Sequence, residues 1–298
     1  MDRRTFVASV AGGFLAVTLD AFAQQQGKVW RVGFLIPTSS NASRYHAFPQ
    51  GMRELGYVEG RNLVIELRSA EGKFERLPDL ATELVKLKPD VIVTGGSPAT
   101  SAAQKATITV PIVMAATNDA VLSGFVKSLA RPGGNITGIS DLALDLSAKD
   151  LEILLSVMPK LSRLAVLINP GNLSLATIVK SLQTAALKTA VEILPSEART
   201  PQEIENAFSM MIRQKAGAVF VPIDAFFIQQ AGQIADLVAK YRIPSMFLAR
   251  EHVEAGGLMC YGPSLNECYR QQRLMWTRFS RAPSPAICPS SSRQSSSW

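Results

Sequence analysis

Along this chain, short and nearly unbroken apolar runs alternate with longer segments whose apolar residues return every three or four positions. Val29 to Ile36 is the first run, the pattern of a strand covered on both faces. Pro37-Thr38-Ser39-Ser40 reads as a loop, followed by a helix through Met52 and Leu55 that stops at Gly56. Asn62 to Arg68 alternates as a strand, and Leu77, Leu80, Ala81, Leu84, Val85 and Leu87 predict a helix ended by Lys88-Pro89. A strand at Val91 to Thr94 leads through Gly95-Gly96-Ser97-Pro98 into a helix reaching Lys105. The spacing then predicts a strand at Pro111 to Ala115 and a helix over Val121 to Ala130. A turn at Arg131-Pro132-Gly133-Gly134-Asn135 leads into a further strand, Ile136 to Ile139.

A second series follows, with a helix over Leu151 to Met158 and a strand at Leu164 to Ile168 that leaves through Asn169-Pro170-Gly171-Asn172. A helix from Ser174 to Ala190, a strand at Val191 to Leu194, a helix from Pro201 to Gln214 and a strand at Ala218 to Val221 come next. After Pro222-Ile223-Asp224 the pattern predicts a helix from Ile228 to Tyr241, then strands at Ile243 to Leu248 and Gly257 to Tyr261. Strands alternating with helices are the signature of a mostly parallel sheet flanked by helices. Two series of similar size predict an α/β chain of two Rossmann-like, doubly wound lobes, at residues 29–140 and 141–262, with a return segment and tail at 263–298. No exact repeat relates the two series.

The ends change the picture. Arg3-Arg4 precede an apolar run, Val7 to Leu19, too short to span a bilayer, and Ala21-Phe22-Ala23 offers a small-x-small cleavage site. Residues 1–23 therefore read as an export signal cleaved near Ala23. The arginine pair before Thr5-Phe6 resembles a twin-arginine signal, and a general secretory signal with the same flanks fits the same residues. This predicts a periplasmic protein. From Gln271 onward Ser, Pro and Arg dominate and Asp, Glu and Lys vanish, a composition that also suits a disordered low-complexity tail. The bases of Met275-Trp276-Thr277, read in the neighbouring frame, give for example Tyr-Val-Asp. Allowed codons continue it into an amphipathic helix end, a Gly/Pro turn and a strand. That hidden sense predicts a frameshift near residue 271.

The net charge of +7 suggests nucleic acid until it is located. Four arginines of the tail supply +4 and residues 1–23 supply none, so the body carries +3 without a basic stripe. No nucleic-acid partner is expected. Cys260, Cys268 and Cys288 fit neither a disulfide scaffold nor a metal site, although a bridge between Cys260 and Cys268 is chemically allowed in an oxidising compartment. His46 and His252 stand in no metal-ligand or catalytic spacing.

Open α/β sheets take ligands at the carboxyl ends of their strands. The loops there offer Thr38 and Ser39, the turn Gly96-Ser97-Pro98-Ala99, and Thr117-Asn118-Asp119. Thr137, Asn169 and Asp224 complete the candidate ligand-binding set. These groups are small, polar and mostly uncharged. They can hydrogen-bond a solute, but they lack the paired acids or Cys/His and Ser/His sets that bond-breaking needs, so no enzyme and no catalytic residue is predicted. Ser97 could cap a helix whose first position is Pro98, seating an anion on free N–H groups; a well-capped turn without ligand explains the same residues. Asp119 and Asp224 could each accept from an ammonium group, or serve only as helix N-terminal acids. Gly-Gly at 95–96 and 133–134 matches no nucleotide fingerprint, so no cofactor is predicted. Tyr261 and Phe226 read as core.

Several phrases in order resemble the ABC-transporter substrate-binding proteins, the family that includes tryptophan- and tyrosine-type binders. They are Arg53-Glu54-Leu55-Gly56-Tyr57-Val58-Glu59-Gly60, Ser69-Ala70-Glu71-Gly72, Leu129-Ala130-Arg131-Pro132-Gly133-Gly134-Asn135-Ile136-Thr137-Gly138 and Glu254-Ala255-Gly256-Gly257-Leu258-Met259 with Tyr261-Gly262. The resemblance implies a type I periplasmic-binding fold: two lobes, a hinge of crossing segments and a ligand closed between them. It implies an amino acid or organic acid as ligand, an ABC permease as partner and a monomeric receptor. The Asn118-Asp119-Ala120 stretch departs from the family's Asp-Pro. A ligand-sensing accessory without transport and an α/β hydrolase are the competing readings.

Overall fold

The computed structural model describes residues 28–40, 43–141 and 143–271. The export signal, the frameshift and the tail from 272 to 298 lie outside the described residues. Strands β1 (Trp30–Ile36), β2 (Leu63–Ser69), β3 (Val91–Gly95), β4 (Ile112–Asn118) and β5 (Ile136–Asp141) form one sheet in the order β2-β1-β3-β4-β5. Strands β6 (Arg163–Ile168), β7 (Glu192–Glu197), β8 (Ala218–Val221), β9 (Ser245–Phe247) and β10 (Met259–Cys260) form the other, ordered β7-β6-β8-β9-β10. Every pairing is parallel. Counted within its own sheet, each order is 2-1-3-4-5, so the chain repeats a topology that its residues do not repeat. Winding reverses between β1 and β3 and again between β6 and β8. A crevice opens at the carboxyl ends there, because successive helices leave on opposite faces.

Helices fill both faces of each sheet. In the first lobe they are α1 (Ser43–Glu54), α2 (Leu77–Lys86), which follows a 3₁₀ turn at Phe74–Arg76, and α3 (Gly96–Ala106). In the second they are α4 (Ala143–Val157), α5 (Ser174–Ala186), α6 (Pro201–Arg213), α7 (Ala225–Gln229), α8 (Ala231–Tyr241) and α9 (Arg250–Glu254). Alternation along β1 shows why the strand needs two covers: Val32, Phe34 and Ile36 pack with Phe48 and Met52 of α1, while Leu35 faces Leu80 and Leu84 of α2. The second core is built on Phe208, Phe220, Phe227 and Phe247. Helix α6 starts as its sequence demands, with Thr200 Oγ1 accepting from the Glu203 N–H at 3.2 Å and Pro201 at the first position.

Among the described residues the chain crosses between lobes twice, between β5 and α4 and again after β10. The second crossing hugs the end of β9 so closely that a Cβ on Gly262 would collide with the Leu248 carbonyl. It leads into a final helix, α10, at residues 265–271, which returns to the first lobe. There Tyr269 is buried against the rings of Tyr45 and Phe34, at centroid distances of 5.3 and 6.5 Å.

Two predicted helices come out differently. Residues 121–130 form successive turns, since Gly124 takes φ +72° and the amides of Phe125 and Val126 both donate to the Ala120 carbonyl. Their helix-like apolar spacing instead lets Phe125 and Val126 fold inward. The helix predicted over Ile228 to Tyr241 starts earlier and is split at Gln230 into α7 and α8, because Asp224 caps a separate short helix ahead of it.

Candidate functional site

The site is built from the β3–α3 turn upward. Gly96 adopts φ +81°, a conformation that favours glycine. Gly95 has no room for a side chain either: a Cβ there would lie 2.8 Å from the Tyr269 hydroxyl. Helix α3 begins at Gly96, two residues sooner than a Ser97 cap requires, and no side chain caps it. The Ser97 hydroxyl has another task, accepting the Asn118 N–H at 3.1 Å and so tying the turn to the end of β4. Behind it, Thr100 donates to the Gly96 carbonyl at 2.9 Å. With its single proton committed there, Thr100 accepts from the hydroxyls of Thr94 and Thr117, at 2.7 and 3.3 Å.

The second lobe answers with a polar cluster around Asp224, which is 1% exposed. Asp224 caps α7: its Oδ1 accepts from the N–H groups of Phe226 and Phe227 at 3.0 and 3.2 Å, and from Asn169 Nδ2 at 3.2 Å. Its Oδ2 accepts from Asn172 Nδ2 at 2.9 Å. Burial pushes the Asp224 carboxyl above the usual range, and the hydrogen bonds from Asn172, Asn169, Phe227 and Phe226 pull it back. The cluster reaches across the lobes, since Ser174 Oγ donates to Asn172 Oδ1 at 2.7 Å and accepts from Asn118 Nδ2 at 3.1 Å.

Between these groups lies a crevice of about 30 Å³, walled by Tyr45, Gly96, Ser97, Asn118, Asp224 and Tyr269 among others. That volume holds about one water, so a larger solute enters only when the lobes part. Beside it, sharing Ser97, Pro98 and Asn172 as a common wall, lies a cavity of about 410 Å³ with Phe74, Leu77, Phe125 and Lys105 in its lining.

The structure brings Gly96, Ser97, Pro98, Asn118 and Asp224 together at the crevice. Asn169 sits one layer behind, orienting Asp224 and accepting from Gly171 N–H at 3.0 Å. Thr38 also acts at one remove, with its hydroxyl 2.8 Å from that of Tyr45. Ser39 is half-buried in the same loop and lines neither space. Ala99 is fully buried in the first-lobe core, because α3 turns it inward toward Leu35 and Ile92. Thr117 is also fully buried, pointing into the hydroxyl network rather than the crevice. Asp119, at φ +40°, uses Oδ1 to hold the Leu122 N–H, and Thr137 lies buried beside Val113 in β5; neither lines the two spaces.

Sequence reasoning missed Tyr45, Asn172, Ser174 and Tyr269. Asn172 carried a signal, since it lies in the same exit loop as Asn169. The tyrosines carried none, because Tyr45 and Tyr269 meet only through the return of α10. No disulfide joins Cys260 and Cys268; burial pushes the Cys260 thiol up to about 11, and the charges of Glu251 and Asp150 add to it. Among the described residues, no group of three or more His, Cys, Asp or Glu could hold a metal, and no helix is long and apolar enough to cross a membrane.

Known proteins place this architecture. The tyrosine-binding protein of Clostridioides difficile is 30% identical over 216 residues, covering 72% of this chain and 61% of that protein. A conserved domain protein of Vibrio cholerae superposes with a TM-score of 0.84, at 23% identity and 90% coverage of both chains. The ABC domain of Streptococcus pneumoniae in complex with L-Trp gives 0.80, at 23% identity and 88% coverage of both. A ligand-free, open substrate binding protein from Clostridium difficile, at 24% identity and 88% and 89% coverage, gives 0.61. The family described as ABC transporter substrate binding protein matches residues 32–277, a family of solute-binding proteins and not of enzymes, and this chain belongs to it.

Proposed function

We propose that this protein is the exported ligand-capturing component of an ABC importer, closing its two lobes around an amino acid or a related carboxylate and presenting it to a membrane permease. The carrying observation is Asp224. A carboxylate almost wholly removed from water is costly to keep ionised unless a counter-charge joins it. Its Oδ1 has three donors, whereas Oδ2 has one, Asn172, and retains a lone pair at the crevice. A ligand ammonium completes that shell and supplies the missing positive charge. Ser97 and the start of α3 face the ligand from the other lobe, where the first-turn N–H groups of Gly96 and Ser97 suit a carboxylate.

Closure follows from the same geometry. The crevice is too small for an amino acid as it stands, so binding proceeds through an opened form in which the Asn118–Ser174 bond is broken. The relative that binds tyrosine and the neighbour holding L-Trp support an amino-acid ligand. The greater likeness to the L-Trp complex than to the open structure, at nearly equal coverage, supports a closed arrangement here. Export to the periplasm follows from the signal at residues 1–23. The test is thermal unfolding against a panel of amino acids and organic acids, with Asp224→Ala alongside. A ligand at 100 times its dissociation constant stabilises by about 2.7 kcal/mol, which raises the midpoint by several degrees. Stabilisation by amines and amino acids that Asp224→Ala abolishes is the expected result. A panel in which no compound shifts the midpoint defeats the proposal.

A further inference from the structure

The larger cavity has a chemistry of its own. Both lobes wall it: Phe74, Leu77 and Phe125 give it an apolar side, while Ser174 and Thr177 face them from α5. At about 410 Å³ it falls within the range of sites that hold small molecules. Lys105, in the last turn of α3, is the one ionisable side chain in its described lining. No acid pairs with that ammonium among the described residues. Asp224 lines the neighbouring crevice instead, on the other side of Ser97, Pro98 and Asn172. Two adjoining spaces thus hold a carboxyl group and an ammonium group, with aromatic and aliphatic surface between.

Resting on the reading that Asp224 receives an ammonium, we infer that the ligand extends past Ser97 into this cavity and ends in an anionic group that meets Lys105. The chemical class is an amino acid with an aromatic or apolar body and a terminal acid. A lone exposed lysine contributes little by itself, because water screens it. A ring held against Phe74 and Phe125 changes that: it excludes water from the lysine's neighbourhood and fixes the acid's position, so little further freedom is lost when the pair forms. A neutral side chain of the same size fills the apolar part equally well and leaves Lys105 solvated and unmatched.

Isothermal titration of the protein with L-phenylalanine and 4-carboxy-L-phenylalanine tests this. The expected result is about tenfold tighter binding of the carboxylated compound, equivalent to about 1.4 kcal/mol. Lys105→Met should bring the ratio of the two affinities to about one, and Lys105→Arg should keep most of it. Equal affinities in the unaltered protein, or a ratio that survives Lys105→Met, overturn the Lys105 subsite and leave the Asp224 reading standing. Failure of both compounds to bind overturns the Lys105 subsite, whereas the Asp224 reading falls only if no amino acid of the thermal panel binds either.

Discussion

Replacing Asp150 by Asn should stabilise the protein by a margin that grows as the pH rises. Asp150 lies on α4, fully buried, and neither carboxylate oxygen has a hydrogen-bond partner among the described residues. Burial alone pushes its carboxyl from 3.8 to about 8. The folded state therefore holds the proton while the unfolded chain releases it. A carboxyl raised in this way contributes most below pH 3.8, and the contribution is lost as pH climbs toward 8. At about 1.36 kcal/mol per pH unit, the interval between 3.8 and neutrality amounts to about 4 kcal/mol of destabilisation at pH 7. Asn keeps the size and has no proton to lose, so its profile is flat across the window. Urea unfolding followed by circular dichroism from pH 4 to 9 reads the difference. The two proteins should lie within about 1 kcal/mol of each other at pH 4, and Asp150→Asn should lead by about 4 kcal/mol near pH 7. A gap that stays constant with pH refutes the reasoning, because it would place the cost in packing instead of in ionisation.

His252 predicts the opposite trend in acid. Its Nε2 donates to the Phe227 carbonyl at 3.1 Å, its Nδ1 is buried without a partner, and burial lowers its pKa from 6.5 to about 4. Stability that is present above pH 6.5 is lost as pH falls toward 4, by about 3 kcal/mol; His252→Gln should flatten this limb of an acid titration. Gly138→Ala should cost more than about 3 kcal/mol, since φ is +140° and a Cβ would overlap the backbone oxygen of Met114 and lie 2.7 Å from its nitrogen. Gly56→Ala, with nothing within 4 Å, should cost only about 1 kcal/mol for its left-handed backbone, and equal losses in urea unfolding would contradict that contrast. Asn118→Ala removes the bond to Ser174, worth about 1 kcal/mol. It should shift the ligand-free protein toward open forms about fivefold, measured as a larger radius of gyration by X-ray scattering.

Local physics made much of the fold legible. The run from Val29 to Ile36 had to be a doubly covered strand because only Arg31, exposed near its start, interrupts the apolar residues, and Thr200-Pro201 marked a helix start by its own hydrogen bond. Asp224 was visible as a residue at a strand's carboxyl end. The segment at 121–130 misled because apolar spacing records which residues turn inward and not the backbone path that turns them. Thr117 and Ala99 misled for a related reason. A loop's membership in the crevice can be inferred from topology, but which side chains of that loop face it depends on the pitch of the following helix.

What the sequence determined unaided is whatever a strand, a turn or a helix start enforces within a few residues: two βα series, neutral hydrogen-bonding loops, and no paired groups suited to catalysis. Tertiary structure alone decided which loops meet. The Asn118–Ser174–Asn172–Asp224 chain joins residues up to 106 positions apart, and the Tyr45–Tyr269 contact joins residues farther apart still. Such contacts depend on strand order and lobe closure, which no short-range pattern encodes, because their energy arises only after both sheets have formed.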